Sequence, residues 1–293
     1  MTIEQIGILL RTDLVPRAIK IIQDECHDLT IIEKVGSDGI KKDLTTNGDM
    51  KAQAMYMQEL KRLFPNYGII AEEDGVAIEG DGRDGDDIYF TVDPLDGTRA
   101  YERNSSQGVG TMIALCKNNN VIAACVGDVN TGDIYGFAGE EVRGEVFHQR
   151  FGETKVLVPK ADRPLSSQYV LLRSLPSKQT TLINKMTLDK KDGGLFEGAE
   201  VGHGSIGIAF ARLWKSEIGA IVLDFGFDTP WDLAPIIGIS RRLGFKFYEI
   251  KDDSLGLTEY EPSPIKVTTK RQHGQLIIHE SCTKELEEWM KKQ

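Results

Sequence analysis

The chain has 293 residues, 40% hydrophobic and 27% charged, with a formal net charge of −10. No stretch approaches the roughly 20 apolar residues needed to span a bilayer, and the acidic balance is opposite to that of a nucleic-acid binder. Length and composition fit one large globular domain or two intimately packed halves.

The N-terminus, MTIEQIGILLRTDLVPR, mixes acids and bases early and lacks the basic-then-apolar pattern of a secretory leader, so a cytoplasmic protein is expected. The four cysteines (Cys26, Cys116, Cys125, Cys282) form no CxxC pair, and the five histidines form no spaced pair; a zinc site or disulfide framework is not expected.

In chain order, residues 11–28 carry apolar residues at helical spacing with Pro16 near the start. IIEKV reads as a strand, Ser37-Asp38-Gly39 as a turn, and the residues after it as a polar approach to a helix. That helix spans Asp49 to Phe64, capped near Gly48-Asp49 and ended by Pro65-Asn66. YGIIAEED and IYFTVD read as strands around an acidic loop. Residues 109–137 hold three apolar runs separated by Asn-rich turns, an antiparallel meander. Beyond residue 150, YVLLRS and GAIVLDF read as strands; TTLINKM, the stretch after His203-Gly-Ser, PWDLAPIIGISRRLGF and TKELEEWMKK read as helices. The expected architecture is layered α/β with mixed, largely antiparallel sheets in two packed halves, residues 1–150 and 151–293.

From Glu72 to Asp96 ten acids stand against Arg83 alone, so this segment carries −9 of the net charge. Residues 79–87 look like a solvated loop; the two ends look like ligands. Gly80-Asp-Gly-Arg-Asp-Gly85 fits GxGxxG literally, yet it is acidic where a pyrophosphate would sit and leads into a strand. No EF-hand spacing is present, and His203-Gly-Ser-Ile-Gly207 misses the nucleophile-elbow pattern.

Asp93-Pro-Leu-Asp-Gly-Thr98 closes an apolar run. Pro94 lacks a donor and is expected to stop the ladder at Asp93, with the turn through Leu95 bringing Asp96 to the same point. Two carboxylates that converge repel one another unless a cation sits between them. Gly97 permits close approach of the backbone to a ligand, and a helix beginning at Thr98 would offer free amides to a phosphate. The pattern points to a metal-dependent phosphatase.

DPLDGT resembles the DPIDGT motif of the inositol monophosphatase superfamily, the lithium-sensitive, magnesium-dependent phosphatases. Ile69-Ile-Ala-Glu-Glu-Asp74 is similar to that family's GEES segment, Pro230-Trp-Asp-Leu-Ala234 to its WDxA motif and Asp43-Leu-Thr-Thr-Asn-Gly-Asp49 to its DLVTxxD, in the family's order. The resemblance implies the family's α-β-α-β-α sandwich. It also implies two to three Mg²⁺ ions, with Mn²⁺ as a substitute: Glu72, Asp93, Thr98 and the Leu95 carbonyl on the first, Asp93, Asp96 and Asp232 on the second, and Glu72 shared with a weaker third.

Asp49 would orient Thr98 and the attacking water, so Asp49, Glu72 and Thr98 are the expected catalytic residues, with the Gly97 and Thr98 amides on the phosphate. Glu73 and Asp74 are expected to be solvated neighbours. Lys34, Lys41 or Lys42 would approach the phosphate or the third ion. Gly204-Ser205-Ile206 resembles the family's substrate-contacting turn, Ile206 adding bulk that would narrow the pocket. Asp224, with Asp228 competing, falls where inositol and sugar phosphatases carry an acceptor for ring hydroxyls; Asp96 and Asp232 would complete the substrate contacts.

The expected activity is hydrolysis of an inositol or sugar monophosphate by a cytoplasmic homodimer, with a small phosphorylated metabolite as partner and neither nucleic acid nor membrane. The alternatives are a 3′(2′),5′-bisphosphate nucleotidase and, in another class, a non-catalytic partner of transcription or RNA-processing machinery.

Overall fold

A computed structural model describes residues 1–36, 42–82, 85–251 and 256–293. The first helical stretch starts earlier than the sequence suggested: α1 (Ile3–Leu9) is opened by a capping box between Thr2 and Gln5, a π-helical turn follows over Leu10–Leu14, and α2 (Val15–Glu25) carries Pro16 in its first turn. A hairpin of β1 (Ile31–Val35) and β2 (Lys42–Thr46) follows, so the stretch read as a polar approach is in part a strand. The turn expected at residues 37–39 lies outside the described residues. The next helix, α3 (Asn47–Leu63), is capped by Thr46, two to three residues before the expected cap at Gly48-Asp49.

Most strands of the first half form one eight-stranded sheet, with β3 (Gly68–Ala71), β4 (Ala77–Ile78), β5 (Ile88–Asp96), β6 (Gly110–Lys117), β7 (Asn120–Asp128), β8 (Ile134–Ala138), β9 (Phe147–Arg150) and β10 (Glu153–Val156) in the spatial order β10-β9-β8-β7-β6-β5-β3-β4. Strands β6, β7 and β8 are the antiparallel meander, and β3–β5 is the parallel pair. Eight of the nine residues of β5 are buried, so the strand is covered on both sides, and its largely apolar run follows from that.

The second half builds a six-stranded sheet from β11 (Tyr169–Leu172), β12 (Gly198–Val201), β13 (Ala220–Leu223), β15 (Phe245–Lys251), β16 (Gly256–Tyr260) and β18 (Gly274–His279), ordered β12-β11-β13-β18-β15-β16. A small ribbon pairs β14 (Gly226–Asp228) with β17 (Thr269–Arg271). The helices are α5 (Thr181–Met186), α6 (Ile206–Trp214), α7 (Pro230–Arg242) and α8 (Thr283–Met290).

Three apolar clusters define the layers. Leu14, Ile22, Tyr56 and Leu60 of the N-terminal helices pack on Phe90, Val92 and Ile113 of the eight-stranded sheet. The opposite face of that sheet meets Phe210, Trp214, Ile236 and Ile239 of α6 and α7, which also cover Ile221 and Phe247 of the six-stranded sheet. The far side of the second sheet is closed by α5 and α8 through Met186, Leu286 and Trp289. The result is the expected five-layer α-β-α-β-α sandwich.

Candidate active site

The expectation that Pro94 ends the strand at Asp93 needs correction. Strand β5 continues to Asp96, with Asp93 opposite Met112 and Asp96 opposite Gly110 and a register shift between them. The missing proline donor therefore produces a bulge rather than a stop, and the bulge points both acids to one place. Thr111 Oγ1 donates to the Asp93 carbonyl at 3.3 Å, which holds the strand from behind.

Asp232 arrives from the other half. It lies in the first turn of α7, opened by Thr229 as N-cap and Pro230 at the first helical position, and its amide donates to Thr229 Oγ1 at 3.4 Å. Carboxylate oxygens of Asp93, Asp96 and Asp232 all lie within 4.8 Å of one another. Asp93 is 3% and Asp96 7% exposed, and Asp93 Oδ1 is buried with no hydrogen-bond partner.

Burial pushes the Asp93 carboxyl well above its ordinary value, and the negative charges of Glu72, Asp96 and Asp232 add to that. The Asp232 carboxyl is pushed up to about 6 by burial and by Asp96. A buried, unpartnered carboxylate oxygen facing two further carboxylates is a donor set for a hard cation, and the residues fit a divalent ion on that ground.

Asp96 is better satisfied. Ser205 Oγ donates to its Oδ2 at 2.5 Å, the Gly207 amide to the same oxygen at 2.8 Å and the Ile206 amide to Oδ1 at 3.1 Å. The turn entering α6 thus grips Asp96. The Ile206 side chain packs against the apolar cluster between the sheets.

Glu72, directly after β3, has its carboxyl pushed up to about 8, mainly by burial and with Glu73 and Asp232 adding against the pull of Lys34, and its charge in turn raises Asp93. It belongs to a second group with Lys34 and Glu73: Lys34 Nζ lies 3.2 Å from Glu72 Oε1 and 2.6 Å from Glu73 Oε1. Burial opposes the Lys34 charge, but the two glutamates outweigh it and its pKa ends raised. Lys41 and the Lys42 side chain lie outside the described residues.

Glu73 is not a solvated neighbour. It is 1% exposed, and Gln53 makes two hydrogen bonds of 2.9 Å to its backbone. Asp74 is exposed, at a φ of 58°. Gln53 gave no motif signal; it is found only by seeing α3 lie against the turn after β3.

On the other flank, Asp49 is fully buried at the start of α3. The Thr46 amide and hydroxyl both donate to its Oδ2, the amide at 2.8 Å, and Thr98 Oγ1 donates to its Oδ1 at 3.2 Å. Burial raises the Asp49 carboxyl to about 6 against the pull of Thr46. Thr98 Oγ1 also lies 3.3 Å from the Leu95 carbonyl. Helix α4 (Thr98–Glu102) begins there, with Gly97 as N-cap at a φ of 94°. A Cβ on Gly97 would meet the Gly108 carbonyl at 2.4 Å and the Ser205 amide nitrogen at 2.6 Å, so only glycine fits.

Asp224 follows β13, half-buried, with its Oδ2 accepting from Ser174 Oγ and, at 3.4 Å, from Gln179 Nε2. Asp228 on β14 is paired with Arg271, whose Nε donates at 3.0 Å and whose Nη1 donates to the Asp224 carbonyl at 2.8 Å. Asp228 thus pairs with an arginine, whereas Asp224 accepts from Ser174 and Gln179. Ser174, Gln179 and Arg271 carry no recognisable motif and were missed.

Fold and site together define a layered α/β protein that brings carboxylates from the end of β5 and the start of α7 within 4.8 Å of one another beside a glycine turn. The inositol monophosphatase family profile matches residues 8–286, and the chain belongs to that family. It is 32% identical over 110 residues to the Nus factor SuhB of Xylella fastidiosa, covering 38% of this chain and 37% of that one. It is 27% identical over 138 residues to the inositol-1-monophosphatase of Caulobacter vibrioides, covering 44% and 52%. The matches thus span between about a fifth and a half of the length of the curated relatives. A solved inositol monophosphatase/NADP phosphatase, complexed with Mg²⁺ and phosphate, superposes with a TM-score of 0.68 at 17% identity, covering 99% of this chain and 95% of that one.

Proposed function

We propose that the protein is a Mg²⁺-dependent phosphomonoesterase acting on an inositol or sugar monophosphate. The observation that carries the reading is the trio of buried Asp93 and Asp96, at the end of the bulged strand, and half-buried Asp232, with its unpartnered Asp93 oxygen.

In this reading Asp93, Asp96 and Asp232 would hold one ion, and Glu72, Asp93, Thr98 and the Leu95 carbonyl would hold another, with Glu72 also available to a third. Bound divalent ions supply Lewis acidity toward phosphoryl oxygens and ease the ionisation of water. The remaining chemistry belongs to the chain. The Thr98 hydroxyl donates to Asp49, which leaves its oxygen lone pairs free to serve a cation. Gly97 and Thr98 present backbone amides to the phosphate; α4 is only five residues long, so these local donors and not a long helix dipole do the work. Asp224, with Gly204 and Ser205 nearby in sequence to the Asp96 grip, receives the leaving-group hydroxyls, and Ile206 contributes its backbone to that turn.

The test is phosphate release from inositol 1-phosphate, sugar monophosphates and 3′,5′-bisphosphate nucleotides, with and without Mg²⁺. Turnover on the first two classes and its loss in chelator support the reading; release from the nucleotide alone favours the bisphosphate nucleotidase. Lithium inhibition is expected with it. We also propose that the chain works as two halves, residues 1–150 and 151–293, with hairpin β9–β10 reaching across that boundary, and as a cytoplasmic homodimer, checked by light scattering. Among the described residues no helix is long and apolar enough to cross a membrane.

A second reading is favoured by the name of the Xylella relative, a Nus factor. A role as partner of transcription or RNA-processing machinery predicts that a ligand-dead Asp93→Asn variant still recovers polymerase components in a pull-down.

A further inference from the structure

Arg173 follows directly on β11, where the chain leaves the six-stranded sheet beside edge strand β12. Its amide donates to the Val222 carbonyl at 3.2 Å, and the neighbouring Gly202 amide donates to the Leu172 carbonyl at 2.9 Å, so the position of the residue relative to the loop after β12 is set by backbone pairing. Its guanidinium reaches across that loop. Nη2 donates to the Gly204 carbonyl at 2.5 Å and Nη1 to the Ser205 carbonyl at 3.5 Å.

Those two carbonyls belong to the turn that grips Asp96. Ser205 Oγ and the Ile206 and Gly207 amides all bond the Asp96 carboxylate. The turn is held on its other side by the Gly108 carbonyl, which accepts the Ser205 amide at 2.8 Å, and Gly204 sits at a φ of 83°. Its orientation therefore depends on two anchors, one of which is a side chain.

Among the described residues no carboxylate forms a salt bridge with Arg173; the charges that reach it are Asp96 and Asp232, across the turn. Burial holds its guanidinium below the ordinary arginine value. Desolvating a charge is costly, and an apolar residue would fill the space at lower cost. A partly buried arginine spent on two main-chain carbonyls therefore calls for a reason beyond packing. Its planar fork is suited to holding two acceptors at a fixed angle, which an ammonium is not.

We propose that Arg173 is a positioning residue for Asp96: by clamping the Gly204 and Ser205 carbonyls it aims the donors that orient the carboxylate toward the cation site. The proposal rests on the metal-dependent reading above. The guanidinium also lines a cavity of about 330 Å³, bordered by Arg103, Gln107, Glu200, His203 and Arg212, through which it is reached from solvent.

The sign of the effect separates positioning from electrostatics. Removing a positive charge beside Asp96 and Asp232, by itself, tightens binding of a cation. Losing the clamp loosens Asp96 and weakens binding. The experiment compares wild type, Arg173→Met, Arg173→Lys, Arg173→Ala and Arg103→Gln by Mg²⁺ titration calorimetry, thermal unfolding and phosphate release. The expected result is that Arg173→Met binds Mg²⁺ at least about tenfold more weakly and loses about ten- to a hundredfold in kcat, with a smaller change in substrate KM. Arg173→Lys recovers little of either. Millimolar guanidinium, entering the cavity, restores Mg²⁺ binding and turnover to Arg173→Ala. Arg103→Gln, which removes a charge from the same cavity without touching the turn, leaves both unchanged.

If Arg173→Met binds Mg²⁺ as tightly as wild type or more tightly, and keeps kcat within about threefold, the proposal is overturned. If Arg173→Met does not fold, Arg173→Lys and the guanidinium-treated Arg173→Ala give the same decision. A wild type that neither binds Mg²⁺ nor releases phosphate overturns the metal-dependent reading itself, a failure visible before any variant is compared.

Discussion

Asp93 illustrates how far a single residue constrains this protein. Its carboxyl is buried, faces Glu72, Asp96 and Asp232, and has an oxygen with no partner. Asp93→Asn removes a charge that repels its neighbours, so in chelator the variant is expected to unfold at the same temperature as wild type or a few degrees higher. Mg²⁺ should stabilise wild type and leave the variant unmoved, and turnover should fall by about a thousandfold or more. A variant that keeps its Mg²⁺-dependent thermal shift would remove Asp93 from the ligand set. Gly97→Ala is expected to act differently. The added methyl meets the Gly108 carbonyl and the Ser205 amide in a left-handed backbone, so it should lose about 1–3 kcal/mol of stability together with activity. Denaturant unfolding in chelator checks the first part independently of the second.

At the scale of elements, the site is assembled by ends: the bulge of β5, the first turns of α3 and α7, and the turn before α6. Thr46 is both the N-cap of α3 and a double donor to Asp49. Thr46→Ala should therefore cost about 0.5–2 kcal/mol, the usual loss for a cap, and also reduce kcat, whereas Thr46→Ser should retain both. Equal loss in the serine variant would show that the methyl group and not the hydroxyl matters. The element ends also explain where sequence reading stopped short. The helix PWDLAPIIGISRRLGF was expected to run to Phe245 but ends at Arg242, because Gly244 at a φ of 85° turns the chain into β15. Strand β15 itself went unread: hidden behind that helix signal, FKFYEIK has meaning as a strand only beside β18 and β16.

For the whole molecule, the candidate site joins Asp93 and Asp96 of the eight-stranded sheet to Asp232 of α7, the helix that packs between the two sheets. A cation bound there links the two. Mg²⁺ at about a hundred times its dissociation constant is expected to add about 2.7 kcal/mol to stability and to move the unfolding of the molecule as one transition in calorimetry. Two transitions of which Mg²⁺ shifts one would mean that the ligands come from a single half.

The convergence of Asp93 and Asp96 was legible without coordinates because it is local chemistry. A proline between two aspartates, a glycine that must take a positive φ, and a threonine that opens a helix are demands of a few consecutive atoms, and they leave a readable pattern at residues 93–98. The layers were legible for a similar reason, since helix and strand periods are properties of neighbours in the chain. What tertiary structure alone decided is how those acids are aimed and held. Glu73 became buried because Gln53 from α3 meets its backbone, Asp228 was taken by Arg271 from a distant strand, and Arg173 found the turn that grips Asp96. Each of these is a hydrogen bond between residues far apart in sequence, and its partner is chosen by which sheet edges come together, a choice that no spacing along the chain encodes.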